Sequence, residues 1–205
     1  MEPCIRPVDT DSLPLLESDL RRKFGDVAYT EKVHEKCGDI LLSYANRLWL
    51  TKIFLSVIAT GSLVSTIFGK DTRPAVIVTA IVSALLLLFN TLTKEGQDRE
   101  NASNHHSTAN QLWKIRENYQ SLLIDMRAGL IGYADVCERR QKLVDATAAI
   151  QLTAPVSFKQ GYKAARTALN ITGEQSFADG ELDALLPPEL RKSSLGGTED
   201  HETTS

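Results

Sequence analysis

The chain has 205 residues, a formal net charge of −3 and 42% hydrophobic residues, enough for one domain, or two small ones, with a sizeable core. No block of Lys and Arg stands clear of Asp and Glu, which argues against a nucleic-acid partner. Cys4, Cys37 and Cys137 are far apart and odd in number, which fits a reducing compartment, and none forms the C-x-x-C pair that zinc or dithiol chemistry uses.

The mean hydropathy of −0.16 is that of a soluble protein, but an oily hairpin between charged segments averages to the same value. Met1–Thr10 carries Glu2, Pro3 and Asp9 in place of a basic stretch and an apolar run, so no signal peptide is expected, and residues 1–18 are read as an N-terminal tail. From about residue 27 to 47, Tyr29, Val33, Cys37, Ile40, Tyr44 and Leu48 recur at three- and four-residue spacing, predicting an amphipathic helix. Its charged residues, Glu31, Lys32, Glu35, Lys36 and Asp39, are expected to form a solvated face.

Two oily segments follow. Leu48–Phe68 is of spanning length, with Trp49 and Lys52 placed to sit at headgroup level. Pro74–Thr93 extends the uncharged run Ala75–Phe89 to about 28 Å of helix, close to the thickness of a bilayer core. Only Gly69–Arg73 separates them, and Pro74 suits a first helical position, so the pair predicts a transmembrane helical hairpin. Lys32, Lys36, Arg47 and Lys52 before it and Lys94 and Arg99 after it outnumber Lys70 and Arg73 in the turn, which predicts a multi-pass protein with both termini in the cytoplasm. Within the spans, Ser56, Ala59, Ser62 and Thr66, and then Ala75, Thr79, Ser83 and Asn90, make small, hydroxyl-bearing faces. Such faces either pack helices closely or line a wet passage. No charge sits mid-span, which argues against a proton relay or a voltage sensor.

Beyond the hairpin, Leu112, Ile115, Tyr119, Leu122, Met126, Gly129, Tyr133, Val136, Arg140, Leu143, Thr147 and Ile150 alternate steps of three and four. This predicts one long cytoplasmic helix over about 97–153 with a heptad-like, coiled-coil seam, packing back on Tyr29–Leu48 and available for self-association. Gly129 and Gly132 weaken it locally, and Gly96 is a candidate hinge between span and cytoplasmic helix. Pro155 ends the helix, Ser157 is placed to cap a short one over about 157–170, another is expected at about 178–190, and residues 193–205 read as a disordered tail.

Little in the sequence carries chemistry. His105 and His106 are adjacent and point apart, without a His or Cys at helical spacing to complete a metal site, so His105 is expected to be a packed, hydrogen-bonded helix residue. His34 offers less still. No phosphate-cradling glycine loop, nucleophile elbow or metalloprotease motif is present, and neither metal nor cofactor nor enzymatic activity is expected.

An amphipathic helix, a tight hairpin and then "HHSTANQLWKIRENYQSLLIDMRAG" resemble the SLATT family of two-transmembrane effector domains, associated with SMODS nucleotidyltransferases and SLOG sensors in bacterial conflict systems. His105, Ala109, Leu112, Arg116, Tyr119, Leu122, Leu123 and Asp125 are similar to the family's helical pattern, and the resemblance covers about Asp19 to Leu190, within a domain taken as 19–192. It implies an inner-membrane effector of antiviral defence that oligomerises and forms pores, leading to cell death. No fused sensor or nucleotidyltransferase accompanies it, so an upstream nucleotide-signalling or sensor protein is the expected trigger. The competing reading is a membrane-anchored adaptor, with "FADGELDALLPPEL" and the tail as docking parts. The fold expected is all-α throughout: a two-span hairpin, an amphipathic N-terminal helix, a long cytoplasmic helix and short helices. Its partners are the lipid bilayer and further copies of itself.

Overall fold

The computed structural model describes residues 12–68, 73–92, 95–174 and 181. Among them the only regular structure is helix: α1 (Ser12–Phe68), α2 (Arg73–Leu92), α3 (Glu95–Arg127), α4 (Tyr133–Thr153) and α5 (Lys159–Thr167), the last running into a π-helical turn at Ala168–Thr172. The chain divides into two compact units after Ala165.

In the first unit, α1 is a single helix of 57 residues, about 85 Å long. The amphipathic helix and the first oily segment of the sequence are therefore one unbroken rod. Its first two thirds lie in a helical bundle. There α3 runs antiparallel to α1, so that Glu17 meets Arg127, Glu31 meets Arg116 and His34 meets His105. The core joins Leu16, Leu20 and Val27 of α1 to Leu112, Ile115, Tyr119, Leu122 and Met126 of α3 and Val136 of α4.

The long helix expected over about 97–153 is two helices. Residue 129 adopts a φ of 68°, which an L side chain rarely does, and Gly129 makes it easy. The N–H groups of Gly129 and Leu130 bond back to Met126 O and Asp125 O, closing α3, and Gly132 provides the N-cap of α4. Arg139 Nη1 then reaches Asp125 Oδ2 at 3.4 Å and Arg140 Nη1 reaches Asp19 Oδ2 at 3.1 Å, which sets α4 antiparallel to α3. The heptad-like seam is thus folded on itself: Leu143, Ala146 and Ile150 pack against the same core that Leu112 and Tyr119 enter.

The α5 segment lies along α1. Gly161 and Ala165 are buried, Ala165 packs with Val33 and Cys37, and the ring of Tyr162 lies 6.5 Å from that of Tyr29. The approach is close: a Cβ at residue 161 would collide with Cys37 Sγ. Ser157 does not cap this helix as its position suggests. Its side chain bonds the Cys37 thiol, and the first turn closes from Tyr162 N–H to Phe158 O.

In the second unit the π-turn ends at Gly173, whose φ of 66° lets Glu174 N–H reach Ala168 O at 3.0 Å. The tail 1–11, the hairpin turn 69–72, the junction at 93–94, the expected helix at 178–190 (Glu181 excepted) and the tail 193–205 lie outside the described residues.

Candidate functional site

The interface between α1 and α3 is the part of the molecule with unusual chemistry. Val27, Glu31, His34 and Gly38 recur at steps of four, three and four and turn one stripe of α1 toward α3. Two of those four are ionisable. His34 and His105 are both buried, His105 only 2% exposed, and their Nδ1 atoms lie 2.9 Å apart. One ring must therefore carry its proton on Nδ1 and donate, while the other keeps a lone pair there and accepts. The ring of Phe158 closes the third side, edge-on to His105 at 6.2 Å. Burial lowers the affinity of both rings for a second proton. His105 titrates at about 4, through its desolvation first and then the neighbouring His34 and His106.

His106 takes a different position. Its imidazole lies directly over the backbone of Gly38, where an added Cβ would come within 2.7 Å of Nε2, and its Nε2 is 3.7 Å from Asp39 Oδ1. Adjacent histidines on α3 thus grip α1 on two sides.

One turn below, Arg116 Nη1 donates to Glu31 Oε1 at 3.2 Å and lies 3.0 Å from Oε2, while its Nη2 holds Glu117 at 2.9 Å. Burial pushes the Glu31 carboxyl above its ordinary range, more than the Arg116 guanidinium pulls it down. Lys32 is buried too, with Nζ 2.8 Å from Glu35. These two residues correct the expectation of a solvated charged face. With α3 on one side of α1 and the 158–165 segment on another, Glu31 and Lys32 have no open water left to face. Thr108 of α3 is buried as well and bonds Asn104 O. Further along, the Tyr119 hydroxyl bonds Thr147, and burial raises its titration.

The oily end of α1 is built in the opposite way. Its inward positions, Leu48, Lys52, Leu55, Ala59 and Ser62, are only half-buried, as are Thr79, Leu86 and Phe89 of α2, and Val82 alone among the described side chains of α2 is buried. Ser62 and Thr79 bridge the two helices, with hydroxyl oxygens 2.6 Å apart. Ser56, Ser83 and Asn90 point away from this contact, Ala59 joins it, and the side chains of Thr66 and Ala75 lie outside the described set. The larger apolar side chains are bare: Phe54 is 67% exposed and Leu87 70%. None of the most apolar window of α1 is buried within the chain. Hydroxyls on this surface are satisfied within their own helix, Thr51 on Arg47 O, Ser56 on Lys52 O, Thr60 on Ser56 O and Thr91 on Leu87 O. The same back-bond is made at Thr30 of the bundle, on Asp26 O.

Of the motif residues, His105, Ala109, Leu112, Tyr119 and Leu122 are buried and Arg116, Leu123 and Asp125 are partly so, all in helix contacts. Gly96 is exposed with open space around it, and Gly129 and Gly132 bracket the α3–α4 turn. Among the described residues no three His, Cys, Asp or Glu side chains gather to hold a metal. The His34–His105 and Glu31–Arg116 pairs are absent from the sequence-based reading. The recurrence of 27, 31, 34 and 38 is a helical stripe, but its polar members hide it from a search for apolar periodicity.

A family model for the SMODS and SLOG-associating 2TM effector domain family 4 matches residues 16–181, which takes in every helix described above except the first turn of α1. No curated protein and no solved structure matches the chain.

Proposed function

The chain belongs to family 4 of the SMODS and SLOG-associating two-transmembrane effector domains, and on that premise we propose that it is a membrane-embedded effector of a bacterial conflict system that permeabilises the inner membrane on an upstream signal. Residues 48–68 and 74–93 are its two spans, and both termini are cytoplasmic. Activation assembles several copies, since one pair of helices encloses no passage. The trigger is a sensor or nucleotide-signalling protein acting on the cytoplasmic bundle, and no covalent chemistry is involved.

The observation that carries this reading is the unbroken α1, whose buried, ion-paired portion continues without a joint into a bare apolar one. A helix of that kind transmits displacement of the bundle into the bilayer. Ser62 and Thr79 set the distance between the spans, and the exposed Ser83 and Asn90 face neighbouring copies. Inducing the protein in cells together with its neighbouring genes, while following membrane potential, tests the proposal. Depolarisation in wild type and its loss in Ser62→Leu and Ser83→Leu is the expected result. An unchanged potential in activated cells contradicts it and favours the adaptor, as does full activity after both spans are exchanged for an unrelated two-span anchor.

A further inference from the structure

The buried histidine pair lies in the interface between α1 and α3. We propose that His34 and His105 form a proton-sensitive latch, closed while the pair is neutral and opened between α1 and α3 by acidification. The inference does not depend on what the spans do.

The argument rests on counting protons. In the closed pair, one Nδ1–H donates to the other Nδ1 across 2.9 Å, so one ring must keep an unprotonated Nδ1. The closed pair can hold at most one additional proton, on the outer nitrogen of the donor ring, whereas separated rings can hold two. A second proton would set two N–H groups and two positive charges against each other at hydrogen-bond distance, in a site that His105 leaves only 2% exposed. Even the first is opposed by burial. The ionisable neighbours do not remove the conflict. On α1, Glu31 is held by Arg116, Glu35 by Lys32, and the Cys37 thiol by Ser157 and Phe158. On α3, His106 lowers the proton affinity of His105 while its own Nε2 lies 3.7 Å from Asp39 Oδ1, and Arg116 is permanently charged. On the third side, Phe158 offers a ring and no carboxylate, and Lys159 beyond it is exposed.

Opening therefore takes up protons. Rings released to water titrate near 6.5, whereas closed His105 titrates at about 4, so opening is favoured progressively as pH falls through that window. One proton gained per opening multiplies the opening constant about tenfold between pH 7.5 and 5.5, and two protons about a hundredfold. His34 lies about 21 Å of continuous helix from Leu48, so the latch and the oily segment share one helix.

The test uses the full chain in lipid nanodiscs, with hydrogen exchange of the amides around 31–38 and 102–109 read from pH 7.5 to 5.5 and corrected for intrinsic exchange. Wild type should show the tenfold or greater rise in opening. His34→Asn/His105→Asn, which keeps a hydrogen bond at both Nδ1 positions but cannot titrate, should change less than twofold. An equal rise in both proteins, or no rise in wild type, overturns the latch. Should the double variant lose its helical signal, imidazole 15N resonances of the wild type decide the matter. Titration of both rings coupled to loss of protection supports the proposal, and titration near 6.5 with protection unchanged overturns it. Leakage is not the readout, so this result and the test of permeabilisation stand apart.

Discussion

The two ends of α1 solve opposite problems with the same helix. From Leu16 to Ala45 it buries Leu20, Val33, Cys37 and Ala45 completely or nearly so, together with Glu31, Lys32 and His34. From Trp49 to Val64 it is far more apolar in sequence and buries almost nothing. Burial by protein and hydrophobicity are thus decoupled along one rod. Where side chains meet α3 and α5, polar residues are enclosed in pairs. Where protein covers them least, apolar side chains such as Phe54 and Val57 are left exposed.

That contrast can be broken most severely in the bundle. Tyr119→Ala or Leu112→Ala should destabilise it by about 3–5 kcal/mol through an unfilled cavity, whereas Leu87→Ala should stay within about 0.5 kcal/mol. Thermal unfolding in detergent compares them, and equal effects would dissolve the distinction. Arg116→Ala leaves Glu31 enclosed without its partner and should cost about 3 kcal/mol, while Glu31→Gln/Arg116→Met should recover most of the loss. Acid should act in the same region. His105, depressed to about 4, stabilises the closed bundle fully above pH 6.5, and that contribution falls away toward pH 4, by on the order of 3 kcal/mol in total. Thermal scans of wild type and His105→Asn across this range read the difference. A smaller effect, about 1–3 kcal/mol, is expected for Gly161→Ala, whose Cβ meets Cys37 Sγ, with Cys37→Ala restoring the fit. Ser62→Ala should cost about 0.6 kcal/mol of helix association with the bond to Thr79, read by a crosslink between the two helices.

Much of this architecture was legible. Runs without charge marked the oily segments, and the spacing of Leu112, Ile115, Tyr119, Leu122 and Met126 marked the inward face of α3, because apolar periodicity reports burial wherever the buried residues are apolar. The expected return of that helix onto α1 is present as the antiparallel α1–α3 interface. Other features were hidden for specific reasons. The seam continues in phase through Gly129, so nothing in its period reveals that the chain reverses there; the turn depends on a single φ of 68°. The three- and four-residue spacing of Tyr29, Val33 and Cys37 marks the line that faces α5, whereas the line facing α3 runs through Glu31 and His34. Polar residues become inward-facing only when their partners arrive from 70 to 85 positions away, which no local pattern encodes. The small-residue faces mixed two orientations, since Ser56 and Ser62 differ by about a third of a helical turn.

The central claim, that α1 passes from a protein-covered environment to a lipid-covered one, is tested most directly by spin labels placed one at a time from residue 24 to 64 in lipid vesicles. Collision with oxygen should be low at residues 34 and 37 and high at 54 and 57, while a water-soluble nickel complex should reach neither set. Strong nickel collision at residues 54 and 57 would place that surface in water and contradict the account.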